Sequence, residues 1–139
     1  GSIRMQHGVN RIYEIRFLKT LVEKLEIKRK KYPDLPKFHG KTIYDFDDQV
    51  TAKLHNFEGA DDYYQQCSSK HFYGGVKTDL LVIHSKEDTL CPIEFAPVKV
   101  IRQNARIHSL FTNEGGHVGF LSSEPGWLYR VIKKWFQGP

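Results

Sequence analysis

An α/β fold built on neighbouring parallel strands is what this sequence predicts, and three observations predict it. Leu80-Leu81-Val82-Ile83 is a continuous apolar run with the length of a strand covered on both faces. Arg106 to Phe111 reads as a second strand, reached after a segment long enough to cross over. Within that segment Ile93, Phe95, Val98, Val100 and Ile101 follow a helix-like spacing that Pro97 interrupts. Strand, crossover helix and strand in this order imply parallel neighbours joined in a right-handed sense.

The 139 residues have the length of one ordinary domain, and with 40% hydrophobic and 13% aromatic residues they can bury a core, which argues against disorder. Taken in order, Ile12, Ile15, Leu18, Val22 and Leu25 recur every three or four residues, predicting a helix from Asn10 to about Lys31. Tyr13, Phe17 and Leu21 widen its apolar stripe, and Pro33 and Pro36 end it, leaving 32–40 as a linker. Thr42-Ile43-Tyr44-Asp45 resembles a capping box with aspartate in the glutamate position, so a short helix is expected from about Ile43 to Val50. Asp45, Asp47 and Asp48 then favour the helix dipole; general acid/base work or a cation site is the alternative.

A further short helix is expected from Gly59 to Ser68, carrying Tyr63, Tyr64 and Cys67 and closed by Ser68-Ser69 and Gly74-Gly75. After the two strands, Ser122-Ser123-Glu124-Pro125 supplies helix-start residues. Trp127, Leu128, Val131, Ile132, Trp135 and Phe136 then define one broad apolar face, expected to pack on the sheet. The chain thus divides into a helical segment, 1–75, and a strand-bearing segment, 76–139.

The formal charge is +5, with much of the excess in Lys24, Lys28, Arg29, Lys30 and Lys31 at one helix end. There lysines suit the helix dipole; an anionic membrane surface is the alternative partner, and no nucleic-acid module accompanies the charge. Cys67 and Cys91 are far apart in sequence and form no Cys-x-x-Cys, so no structural metal site is expected and a reduced intracellular compartment fits better. The seven histidines are scattered and form no metalloprotease pattern. No apolar run approaches the ~20 residues of a membrane-spanning helix. Gly1-Ser2 reads as a cloning scar, so the chain is expected to be cut from something longer.

In a parallel sheet, residues that do chemistry collect in the loops at the carboxyl ends of the strands. Two such loops are expected, 85–92 and 115–120. Gly115-Gly116-His117-Val118-Gly119-Phe120 is either an ordinary glycine turn or the loop of a general base. A base of that kind needs a carboxylate to accept its ring N–H, fix its tautomer and stabilise the imidazolium. Asp88 is the candidate, standing four residues before Pro92; Glu87 is chemically possible.

These motifs co-occur in a recognisable order. Ile43-Tyr44-Asp45-Phe46-Asp47-Asp48, Thr51-Ala52, His55, Phe57, Ala60, Tyr63-Tyr64 and Cys67-Ser68 precede Leu81-Val82-Ile83-His84, Glu87-Asp88, Pro92 and Gly115-Gly116-His117-Val118-Gly119-Phe120. From about Ile43 to Phe136 this resembles the carboxyl-terminal part of the YheT-like branch of α/β-hydrolases, also described as embryogenesis-associated or abhydrolase-domain lipid esterases. The departure is Thr89, where the family's acid loop has a proline. The resemblance implies a serine hydrolase acting on acyl esters, by hydrolysis or acyl transfer, without cofactor or metal. Asp88 and His117 would be the triad's acid and base, residues from about Asn10 to Tyr73 would be a cap, and 76–139 would hold the last two strands of the sheet.

A hydrolase of this type needs Gly-x-Ser-x-Gly, whose small flanking residues permit the strained turn that exposes the nucleophile. No such motif occurs; Ser68, Ser69, Ser85, Ser109, Ser122 and Ser123 all lack the glycine frame. The expectation is a fragment beginning after the nucleophile, inactive as an esterase by itself, and self-associating or pairing with the missing amino-terminal half. The alternative is a non-catalytic, truncated hydrolase-like module for protein interaction or membrane-surface binding.

Overall fold

The computed structural model describes residues 10–120 and 124–138, which divide into two compact units between Ser68 and Ser69. The first unit is helical. Its long helix α1 (Asn10–Lys31) is followed by α2 (Ile43–Phe46), which runs without a break through a π-helical turn at Asp47–Thr51 into α3 (Ala52–Leu54), and then by α4 (Ala60–Cys67). Thr42 caps α2 as its sequence suggests: its hydroxyl accepts the Asp45 amide while the Asp45 carboxylate accepts the Thr42 amide.

Leu25, Phe46 and Val50 form the buried centre of this unit, with Leu18, Leu21, Val22, Leu35 and Phe38 packed around them. At its amino-terminal end the buried stripe of α1 departs from the one its apolar spacing suggests. Ile12 and Ile15 are 70% and 55% exposed, whereas Glu14 is buried at 1%. Leu18, Val22 and Leu25 of the expected stripe do pack on the core, with Leu21 beside them, and Glu14 takes the inward position one turn earlier. Glu14 Oε1 accepts the Ile43 amide at 3.1 Å, one of the α2 donors that has no partner within its own helix. Its other oxygen lies 3.8 Å from Arg11.

Asp45, Asp47 and Asp48 are all engaged in hydrogen bonds within the helical unit. Asp45 completes the cap, Asp47 accepts the Thr51 and Tyr64 hydroxyls, and Asp48 accepts the amide of Ala60, the first residue of α4.

The second unit is mixed α/β. After short 3-10 turns at Ser69–His71 and Tyr73–Gly75 come β1 (Leu80–Ser85), a 3-10 turn at Ile93–Phe95, α5 (Val98–Gln103), β2 (Ile107–Thr112) and α6 (Trp127–Gln137). β1 and β2 pair in parallel, Leu80 opposite Ile107 through Ser85 opposite Thr112, and make a two-stranded sheet among the described residues. Pro97 splits the crossover, ending the 3-10 turn and standing at the start of α5. α5 buries Ile101, at 1% exposed, and Asn104 beyond it donates its side-chain amide to the Tyr73 and Val76 carbonyls.

The apolar run of β1 is only partly buried, which differs from a strand covered on both faces. The helix expected to cover the sheet does so incompletely. Trp135 of α6 packs against His108 of β2 in a tilted arrangement, ring centroids 4.7 Å apart, yet Phe136 is 81% exposed. Beside them lies a groove of about 670 Å³ lined by Leu81, His108, Val131, Trp135 and Phe136. Ser122 and Ser123, the expected helix-start residues, lie outside the described residues; Gly126, at φ +72°, precedes the helix. No described helix is long and apolar enough to cross a membrane.

Candidate active site

Parallel pairing brings the carboxyl ends of β1 and β2 to the same edge of the sheet, so the loops that follow them are neighbours. The first loop turns sharply. Ser85 is buried, its carbonyl accepts the Asp88 amide and its hydroxyl accepts the Glu87 amide. This turn directs Asp88 inward, where it is 3% exposed, and leaves Glu87 outside. Glu87 then reaches the second loop, accepting the Gly115 amide at 3.0 Å. Lys86 adds a bond from its ammonium to Asn113, at 2.8 Å.

Gly115 and Gly116 shape the second loop. Their φ values of +135° and +69° lie where a side chain is disfavoured, and a Cβ on Gly115 would stand 2.8 Å from the Phe120 ring. Phe120 is buried, also at a positive φ of 41°, with Trp127 6.0 Å from its ring. Gly115→Ala is expected to destabilise the unit by about 1–3 kcal/mol, through left-handed backbone strain and displacement of Phe120. Gly116→Ala, with nothing within 4 Å of the added methyl, should cost less. Urea unfolding followed by tryptophan fluorescence measures both, and equal effects would contradict this account.

The two loops bring Asp88 and His117 together. His117 Nδ1 and Asp88 Oδ2 are 2.8 Å apart, with the histidine side chain 42% exposed and the aspartate side chain 2%. The other oxygen, Oδ1, accepts the amides of Leu90 at 2.9 Å and Cys91 at 2.8 Å. Burial works to raise the Asp88 pKa, but the Cys91 amide, His117 and the Leu90 amide together outweigh it and hold the group below the ordinary carboxylate value. Asp88 is therefore an anion whose orientation is fixed by backbone donors, facing a histidine whose ring reaches solvent. Of the two candidate carboxylates, Asp88 meets His117, while Glu87 fastens the backbone of the histidine's loop.

Cys91 is a residue that motif reasoning leaves unassigned. One donor atom from each of Asp88, Cys91 and His117 lies within 4.8 Å of the other two. Desolvation beside Asp88, and then its negative charge, raise the thiol of the otherwise exposed Cys91 above its ordinary pKa. Such a thiol is less, not more, disposed to act as a nucleophile. The only sequence signal for this proximity is the i, i+3 spacing of Asp88 and Cys91.

No family model matches the chain, and no solved structure matches it. Among curated proteins it is 30% identical over 144 residues to "Putative esterase YheT" of Escherichia coli, covering 96% of this chain and 42% of that protein. It is 33% identical over 108 residues to an "Abhydrolase domain-containing protein" of Dictyostelium discoideum, covering 77% of this chain and 27% of the relative. It is 29% identical over 101 residues to human "Phospholipase ABHD3", covering 70% of this chain and 25% of the relative. The chain is thus distantly homologous to several members of the α/β-hydrolase superfamily, and it spans less than half the length of these relatives.

Proposed function

We propose that this chain supplies the acid and base of an acyl-ester serine hydrolase of the YheT-like, abhydrolase-domain branch, whose nucleophile comes from outside residues 1–139. One observation carries the reading: a buried, backbone-anchored Asp88 bonded at 2.8 Å to a solvent-reaching His117. Asp88 accepts the Nδ1–H of the ring, which leaves the Nε2 lone pair free to take a hydroxyl proton, and its negative charge stabilises the imidazolium that results.

In this reading the segment 1–75 belongs to the cap region of such an enzyme and 76–139 to the closing part of its core. The substrate class is carboxylic esters including lipid esters, with water or a second alcohol as acyl acceptor. The names of the esterase and phospholipase relatives support it. The remainder of such an enzyme would lie along the open sheet edges, and a second copy of this chain would substitute for it when that remainder is absent. The defining test is labelling by an active-site-directed fluorophosphonate.

The surface of α1 favours a second, compatible reading, a peripheral contact with an anionic membrane from the cytoplasmic side. Ile12, Tyr13, Phe17 and Ile27 are exposed among Arg16, Lys24, Lys28 and Lys31, so the basic charge that an anionic bilayer attracts stands beside apolar side chains. Binding to phosphatidylglycerol-containing vesicles should weaken as salt rises, because part of the attraction is screened. Equal binding to neutral vesicles, or none to either, would contradict it.

A further inference from the structure

We propose that Asp88, Cys91 and His117 form a site for a soft divalent cation such as Zn²⁺, which cannot be occupied while Asp88 and His117 keep their direct hydrogen bond. The three donor atoms already lie within 4.8 Å of one another. A tetrahedral zinc ion with bonds of about 2.0–2.3 Å holds its donors roughly 3.3–3.8 Å apart, so the donors must adjust by about 1 Å. The Asp88–His117 pair, at 2.8 Å, must open slightly to admit the ion. Cys91 is exposed, so its side chain can turn while its amide stays bonded to Asp88 Oδ1.

Carboxylate, imidazole and thiolate together suit zinc and its soft neighbours; magnesium and calcium prefer oxygen donors. The surroundings are those of a supported ligand set. Asp88 Oδ1 is held by two backbone amides, which leaves Oδ2 as the oriented donor. Three protein ligands leave a fourth position toward solvent, on the side where His117 and Cys91 are exposed. Sequence spacing hides the group, because His117 and Cys91 belong to different loops.

Binding exchanges protons in a defined way. The Cys91 S–H bond breaks and a sulfur–metal bond forms, with the proton released to solvent. The coordinating ring nitrogen of His117 is the one without hydrogen, so the ring proton resides on the other. A ring held this way cannot work as a general base. That consequence rests on the hydrolase reading above; the metal site itself does not.

Cobalt(II) titration of the purified chain tests the site, because a thiolate–cobalt bond produces near-ultraviolet charge-transfer absorption that oxygen and nitrogen ligands do not. The band is expected at a single equivalent, displaced by Zn²⁺ and retained in Cys67→Ser. It should disappear in Cys91→Ser, and Asp88→Asn and His117→Gln should each weaken cobalt affinity by more than the ~10-fold that loss of even an outer-shell partner costs, with far-UV circular dichroism confirming that each variant is folded. Absence of the band in the unsubstituted chain, its survival in Cys91→Ser, or indifference to His117→Gln would overturn the proposal. In a longer protein containing the nucleophile, zinc should inhibit ester hydrolysis. Inhibition absent despite a demonstrated cobalt site would overturn His117 as the base and leave the metal site standing.

Discussion

Asp88→Asn, placed in a longer polypeptide that supplies the serine, should lower kcat by about 10⁴-fold, the size of effect the corresponding substitution has in an unrelated triad enzyme. The substitution isolates charge and tautomer from structure. An asparagine carbonyl can still accept the Leu90 and Cys91 amides, so the loop keeps its anchor. The amide nitrogen then faces His117 Nδ1 as a donor, and the ring must turn its unprotonated nitrogen toward it. The proton is forced onto Nε2, where a serine would need a lone pair. Ester turnover measured alongside urea unfolding checks the split. A loss of less than about tenfold in a normally stable variant would show that Asp88 does not orient the base.

Phe46→Ala should remove about 3–5 kcal/mol from the stability of the helical unit. Phe46 is 7% exposed at the centre of the cluster with Leu25 and Val50, and its ring lies 5.3 Å from that of Phe38. Truncation loses both the buried area and the ring contact, and α1 and α2 cannot close fully over the space. With a typical urea slope, the midpoint followed by far-UV circular dichroism should fall by on the order of 2 M. The signal is appropriate because both tryptophans, Trp127 and Trp135, belong to the other unit. A shift below about 0.5 M would mean that this cluster does not hold the helices together.

The parts legible in the sequence were those fixed by local pattern. Leu80 to Ile83 has no polar interruption and formed a strand, and Thr42 with Asp45 has the spacing of a capping box and formed one. Asp88 and His117 could be expected on neighbouring loops because parallel strands send the loops that follow them to one edge, and the two side chains do meet, at 2.8 Å. The rest depends on contacts between distant residues. Glu14 looks like a solvent-facing position until the Ile43 amide needs an acceptor, and at the start of α1 it is buried where Ile12 and Ile15 are exposed. The roles of Glu87 and Cys91 arise only when two loops meet, so spacing within either loop carries little trace of them. The partial cover of β1 and the open groove beside α6 likewise depend on surfaces that no local pattern records.

The central claim is that His117 is the base for a serine that lies outside residues 1–139. Fluorophosphonate labelling with mass-spectrometric mapping tests it most directly, comparing the purified chain with a longer polypeptide of the same protein. No label is expected on the chain alone, and a single labelled serine outside residues 1–139 is expected in the longer polypeptide, with labelling slowed by several powers of ten in His117→Ala. Stoichiometric labelling of a serine within 1–139, or labelling of the longer polypeptide unaffected by His117→Ala, would contradict it.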